Sequence, residues 1–149
     1  MGVIRSANPG DISRIAEIMV FNYRLNFYQF FNNEPFYFGE LNVLDTAREF
    51  ETVLNNLYVY DDGVVKGFIQ VSGDELEKLH VDSQFQSLGI GEELLSYATN
   101  VLGTDWLWVL EYNIRGQAFY KRHDFEFTGE KIIEDEFVPL LKMALKKEK

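Results

Sequence analysis

The chain has no cysteine, and that absence removes a disulfide framework, a thiolate zinc site and a cysteine nucleophile together. Positive charge is scarce as well: 14 lysines and arginines face 24 aspartates and glutamates, a formal charge of −10. A nucleic-acid binder needs the opposite surplus, so that class is set aside, while a cationic partner suits the acidity. No stretch approaches the ~20 apolar residues of a membrane span, and Pro9-Gly10-Asp11 falls where a secretory signal needs its apolar run. The two histidines, His80 and His123, make no metal-ligand pattern. These absences lead to the expectation of a cytoplasmic protein with no metal, no nucleic acid and no membrane among its partners.

What is present fits one domain over residues 1–149: 46% of residues are hydrophobic, enough for a sizeable core, and 15% are aromatic. Val3-Ile4-Arg5 reads as a first strand. Asn8-Pro9-Gly10-Asp11 reads as a helix start, with Asn8 as cap, and Ile12, Ile15, Ala16, Met19 and Val20 follow at helical spacing. The pattern blurs into rings between Phe21 and Phe38, and a second helix is expected over about Asn42 to Leu54. Leu57 to Tyr60, the turn Asp61-Asp62-Gly63 and Val64 to Ser72 form a hairpin, which Leu76 to Val81 extends into a meander. A helical stripe from Ile90 to Leu102 leads to the strand Trp106 to Leu110; a right-handed crossover makes that strand the parallel neighbour of Leu76 to Val81. A short helix from about Gly116 to Arg122 and strands near Glu126–Ile132 and Val138–Leu145 close an α/β (α+β) fold. The lysine-rich tail Lys146-Lys147-Glu148-Lys149 reads as solvated.

The segment Gln86-Ser87-Leu88-Gly89-Ile90-Gly91 links the fourth strand to its helix. Gly89 and Gly91 let the backbone turn tightly and approach a ligand, and the helix then begins at once. Its unpaired amides and dipole make an anion site there, with a pyrophosphate as the natural occupant. A plain strand-to-helix turn uses glycines in the same way. The spacing is neither the dinucleotide fingerprint nor the phosphate loop of nucleotide hydrolases.

Leu76-Glu77-Lys78-Leu79-His80-Val81, a short link, and Gln-x-x-Gly-x-Gly-Glu-Glu-Leu-Leu together resemble the signature of the GCN5-related N-acetyltransferase (GNAT) superfamily. Asn113-Ile114-Arg115-Gly116-Gln117-Ala118-Phe119-Tyr120, closing with Asp124-Phe125, looks like that family's second cofactor motif. The resemblance implies a GNAT-like mixed, mostly antiparallel sheet of six to seven strands, flanked by helices, with strands four and five parallel and splayed. It implies acetyl-CoA as cosubstrate: amides around Gln86, Ser87, Leu88, Gly89, Ile90 and Gly91 on the pyrophosphate, and the backbone of Leu79, His80 and Val81 beside the pantetheine. Asn113, Arg115, Gly116, Phe119 and Tyr120 of the second motif complete the cofactor contacts. Two positions depart from the pattern: Leu88 stands where the family places lysine or arginine, and Asp124 where it places glycine. Arg115, Lys121 and Arg122 are therefore expected to meet the phosphates instead, against the alternative of a solvated helix face.

Acyl transfer from a thioester needs a neutral amine, a polarised carbonyl and a protonated leaving thiolate. By resemblance Tyr120 is the acid that meets the sulfur, and the Val81 amide binds the carbonyl oxygen. Glu75 and Glu77, two apart on a strand and so on one face, are the candidate bases, with Glu111 as a third and His80 less favoured. The rings from Phe21 to Phe38, with Glu34 and Glu40, are expected to receive a cationic substrate or to fill core. The expected activity is amine acetylation by direct transfer, on a small molecule or a protein amine, by a monomer or homodimer. The alternative is an inactive acyl-CoA sensor or interaction module of the same fold.

Overall fold

The computed structural model describes residues 2–147; Met1 and the tail residues Glu148 and Lys149 lie outside the described residues. β1 (Val3–Ser6) leads into a 3-10 turn (Pro9–Asp11) and α1 (Ile12–Phe31). The sequence-based helix start holds: Asn8 accepts from the Gly10 amide, and Asp11 answers by accepting from the Asn8 amide at 2.9 Å. α1 runs further than the apolar stripe suggests, because its exposed rings are compatible with helix and Asn32, at φ +50, is the residue that ends it. A π-helical turn (Phe36–Glu40) follows. Arg24 holds it against α1, donating to the carbonyls of Tyr37 at 2.7 Å and Leu41 at 3.1 Å. α2 (Val43–Glu51) is shorter than expected, capped by Asn42 on the Asp45 amide.

Next come β2 (Leu57–Asp61), β3 (Val65–Ser72) and β4 (Glu75–Val81), then α3 (Ile90–Asn100), β5 (Trp106–Leu110), α4 (Ile114–Arg122), β6 (Phe125–Glu134) and β7 (Val138–Leu145). They form one seven-stranded sheet in the order β1-β2-β3-β4-β5-β7-β6, antiparallel except for β4 beside β5. α1 and α2 cover one face, packing Ile15, Val20 and Phe50 on Leu57, Val59 and Phe68. α3 covers the other, packing Leu94, Leu95 and Ala98 with Ile69, Leu107 and Met143. Phe68 is fully buried, edge-on to Phe50 at 5.5 Å; burying such a ring contributes about 1.5–3 kcal/mol.

Arg5 ties β1 to two later elements, 2.8 Å from Asp11 and 3.0 Å from Asp61. Its guanidinium holds the Asp11 carboxyl below the usual range; at Asp61 the Gly63 amide lowers the value first and Arg5 second. A carboxylate depressed in the folded state adds stability above its unfolded value, and that stability is lost as pH falls through the folded value. Thermal unfolding followed by circular dichroism should therefore show Tm dropping as pH is lowered through about 4. The slope should be shallower in Arg5→Met; an unchanged acid slope would remove Arg5 as its cause.

Candidate active site

β4 and β5 touch at one end only. Glu75 opposes Trp106, the Asp105 amide donates to the Asp74 carbonyl at 2.8 Å, and Trp106 Nε1 donates to Asp74 Oδ1 at 2.9 Å. Beyond this closure the strands diverge, and a cleft of about 670 Å³ opens between Leu79–Val81 and the start of α4. Backbone direction follows from the antiparallel ladder. Asp82 donates to the Lys66 carbonyl at 2.8 Å, so the next pair, Gly67 and Val81, is a non-bonded one. Val81 and Leu79 consequently turn their amides and carbonyls away from β3, into the gap. The Val81 carbonyl is taken by Asn22 Nδ2 at 2.9 Å and Gln86 Nε2 at 3.2 Å, and its amide faces the opening.

The loop between β4 and α3 closes one end of the cleft. Ser87 at φ +65 and Gly89 at φ +86 both adopt left-handed backbone, and Gly89 is the N-cap of α3 with no side-chain cap bond. The helix therefore begins with amides that no side chain has claimed, beside Gln86, Ser87, Gly89 and Gly91 on the cleft wall. Leu88 and Ile90 bring no side chain to it: Leu88 is 69% exposed on the outer surface and Ile90 is in the core. Arg115 leans over the loop, its Nη2 3.5 Å from Ser87 Oγ, and Arg122 also lines the cleft. Lys121 does not; its ammonium lies 4.6 Å over the Phe127 ring, because one residue along a helix turns the side chain to another face. Glu92, in the first turn of α3, brings one carboxylate to this end, 3.9 Å from His123 Nε2.

α4 supplies the opposite wall. Asn113 caps it through Gly116, whose amide donates to Asn113 Oδ1 at 2.9 Å. A Cβ on Gly116 would collide with the Asn113 side chain, so the tight cap needs glycine there. Gln117 bonds the carbonyls of Leu110 and Glu111, locking α4 to the end of β5. Phe119 and Tyr120 then face the cleft, and Tyr120 packs edge-on to Phe125 at 5.8 Å. Burial raises the Tyr120 phenol above its ordinary value, so the hydroxyl keeps its proton at neutral pH. Asp124 has φ +71, which explains why glycine suits that position and shows that aspartate adopts it.

The other end is built by two of the rings named from sequence and by amide side chains that sequence reasoning missed. Asn22, Asn26 and Gln29 recur along one face of α1, beside Phe27 and Phe30, and all five line the cleft. Phe30 stacks on Tyr112, from the β5–α4 link, at 5.5 Å and 22°. Three amide side chains at spacings of four and three, in the ring-rich second half of α1, were the available signal. His80 lies here too, stacked on Phe68 at 5.4 Å and tilted against Tyr23 at 5.5 Å, with Asn22 Nδ2 3.4 Å from its Nδ1. Burial, and then the charge of Lys78, push His80 down to about 4.

The carboxylates named from sequence are elsewhere. Glu75 sits at the closed end of the β4–β5 pair, six residues from Val81 and so roughly 20 Å along the strand. Glu77 accepts from Gln70 Nε2 at 3.2 Å and is the extra residue of a β-bulge opposite Gln70 and Val71, which breaks the simple alternation behind a shared face. Glu111 is held by Lys131 at 3.1 Å, and Glu34 accepts from the Tyr28 hydroxyl at 3.1 Å; neither they nor Glu40 line the cleft. Among the described residues no helix is long and apolar enough to cross a membrane, and no group of three potential ligands is placed to hold a metal.

Residues 54–127 match the family model of the acetyltransferase (GNAT) domain. The peptidyl-lysine N-acetyltransferase YjaB of Escherichia coli is 30% identical over 80 residues, covering 52% of this chain and 54% of the relative. In sequence, then, the chain spans about half the length of the curated relative it matches. In fold the likeness extends further: the solution structure of apo-form YjaB from Escherichia coli superimposes with a TM-score of 0.77 at 22% identity, over 97% of both chains. The PaiA N-acetyltransferase of Thermoplasma acidophilum, solved in complex with coenzyme A, superimposes with a TM-score of 0.69 at 18% identity, covering 97% of this chain and 99% of that one. With the matched domain spanning both the glycine turn and Tyr120, and the splayed parallel pair at the centre of the sheet, the chain belongs to the GNAT acetyltransferase family.

Proposed function

We propose that this chain, as one domain over residues 1–149, transfers an acetyl group from acetyl-CoA to a primary amine by direct attack in a ternary complex. The observation that carries the reading is the gap beyond Leu79, with outward main-chain groups on one wall, unclaimed helix amides at one end and Tyr120 opposite. The donor set fits acetyl-CoA. The amides around Gly89 to Gly91 suit the diphosphate, with Arg115 and Arg122 adding charge that Leu88 does not supply. Leu79 offers the pantetheine arm strand-like hydrogen bonds across the gap, and the Val81 amide, next along the open edge, is left for the thioester.

In this arrangement the Val81 amide steadies the thioester oxygen as the amine nitrogen attacks the carbonyl carbon. The carbon–sulfur bond then breaks, and the Tyr120 hydroxyl gives its proton to the departing sulfur. The amine's own surplus proton leaves to solvent, and Tyr120 regains a proton from solvent to close the cycle. The YjaB relatives, named for peptidyl-lysine, make a lysine peptide the first acceptor to assay. The absence of cysteine suits a cytoplasmic setting and a mechanism without an acyl-enzyme.

The test combines a thermal shift with acetyl-CoA and release of free thiol against a panel of amines. Amine-dependent release is expected; a shift without release from any amine would make the chain an acyl-CoA sensor. Arg115→Ala should raise the KM for acetyl-CoA about threefold to tenfold with kcat nearly unchanged, since it removes one charge-assisted contact to the non-reacting end. A fall in kcat alone would move Arg115 out of that role.

A further inference from the structure

The two ends of the cleft differ in charge. Arg115, Arg122 and Glu92 all sit on α4 or α3, at the end assigned to the phosphates. The α1 end is walled by Asn22, Asn26, Gln29, Phe27, Phe30 and Tyr112, with His80 at its floor, and none of these carries a charge at neutral pH. None of the excess carboxylates lines this end of the cleft; an acidic run, Glu134 to Glu136, lies beside Phe137, which packs on Phe31.

The charged groups on the elements packed around this end reinforce the point. On β4 the charge registered at His80 is the positive one of Lys78. After β4, Asp82 is neutralised by Arg14 at 2.7 Å, and Arg14 also holds Glu17 at 2.8 Å. Just after β5, Glu111 is held by Lys131. On β6, the charge of Glu134 is felt at Tyr23, where burial and then that charge push the phenol up to about 12, and it does not register at His80. An ammonium entering here would shed water and meet amides, rings and a neutral imidazole, with a cation nearby. Ring faces attract a cation, yet by less than the loss of its hydration costs.

We propose that the acceptor end admits the uncharged form of its substrate, so that this chain acts on weakly basic primary amines, such as the α-amine of a peptide, in preference to a lysine side chain or a polyamine. The proposal rests on the transferase reading and adds the class of amine. Its chemistry is balanced without a protein base: the ammonium gives one proton to bulk water before entry, and the free amine then attacks. The second amine proton leaves as the amide forms, and the sulfur gains one through Tyr120. With α-amines near ~8 and lysine near ~10.4, the uncharged fraction at neutral pH favours the α-amine roughly 200-fold to 500-fold.

The experiment follows thiol release from acetyl-CoA with two peptides of one sequence, the first with a free N-terminus and acetylated lysine, the second N-terminally blocked with free lysine. Small primary amines of graded basicity extend the series. At neutral pH kcat/KM should favour the α-amine at least about tenfold. For each amine it should climb about tenfold per pH unit and level off at that amine's own pKa, so that the break moves from substrate to substrate. Equal or better use of lysine, or a break fixed at one pH for every amine, overturns the proposal while leaving a transferase in place. No release from any amine overturns both. Asn26→Asp provides the converse: a carboxylate at this end should narrow the preference for the α-amine at least about tenfold, and an unchanged ratio would count against an uncharged site as its origin.

Discussion

Tyr120→Phe should lower kcat for acetyl transfer by about 10²-fold to 10⁴-fold, the usual range for losing a positioned acid, while the KM for acetyl-CoA stays nearly constant. The ring supplies the packing and the hydroxyl the chemistry. Tyr120 lies edge-on to Phe119 at 5.3 Å and to Phe125 at 5.8 Å, contacts that phenylalanine keeps. Burial raises the phenol above its ordinary value, so an alkaline-side loss of rate at or below that ordinary value should not trace to this group. Steady-state kinetics with a saturating amine, beside a thermal shift with acetyl-CoA, separate the two parameters. A variant with wild-type turnover would mean that sulfur leaves unaided or is protonated by water.

Gly89→Val should weaken acetyl-CoA binding by about tenfold to a hundredfold and leave the fold intact. Gly89 has φ +86, and a Cβ there meets no heavy atom within 4 Å, so the effect is one of backbone preference and not of crowding. A β-branched residue in that region carries strain of about 1–3 kcal/mol, which the loop relieves by turning the first α3 amides off target. Gly63, at φ +111 in the β2–β3 turn and equally open, supplies the control. Gly63→Val should lose similar stability with unaltered affinity, measured by calorimetric titration. Equal losses of affinity in both variants would assign the effect to general destabilisation.

The fold was legible because its signals are local. Asn8 and Asp11 start α1, Asp62-Gly63 turns the first hairpin, and the glycine turn followed by Ile90, Leu94 and Leu95 marks a crossover. The two segments proposed to hold the cofactor could be named from sequence for the same reason, being contiguous. The acceptor end was not, because it is assembled across distance: Asn22 meets Val81 over 59 positions, and Phe30 meets Tyr112 only after the sheet has brought α1 to the β5–α4 link. The base candidates misled through geometry that a one-dimensional reading lacks. Alternation alone puts Glu75 and Glu77 together, but the bulge at Glu77 and the closure at Glu75 depend on how β3 and β5 pair with β4.

The single rung joining β4 to β5 at Glu75 and Trp106 divides the sheet into two wings, β1 to β4 and β5-β7-β6, that share a pivot instead of a seam. A small rotation about that pivot is magnified along the strands, so the far edges at Val81 and Leu110 travel most. The two wings are otherwise joined through the core beneath α3, so a guest that bonded to both edges would add a brace at the end where the strands diverge. On the proposed transferase reading, the open end of the sheet would be stiffened by its cargo and loosened when the product departs.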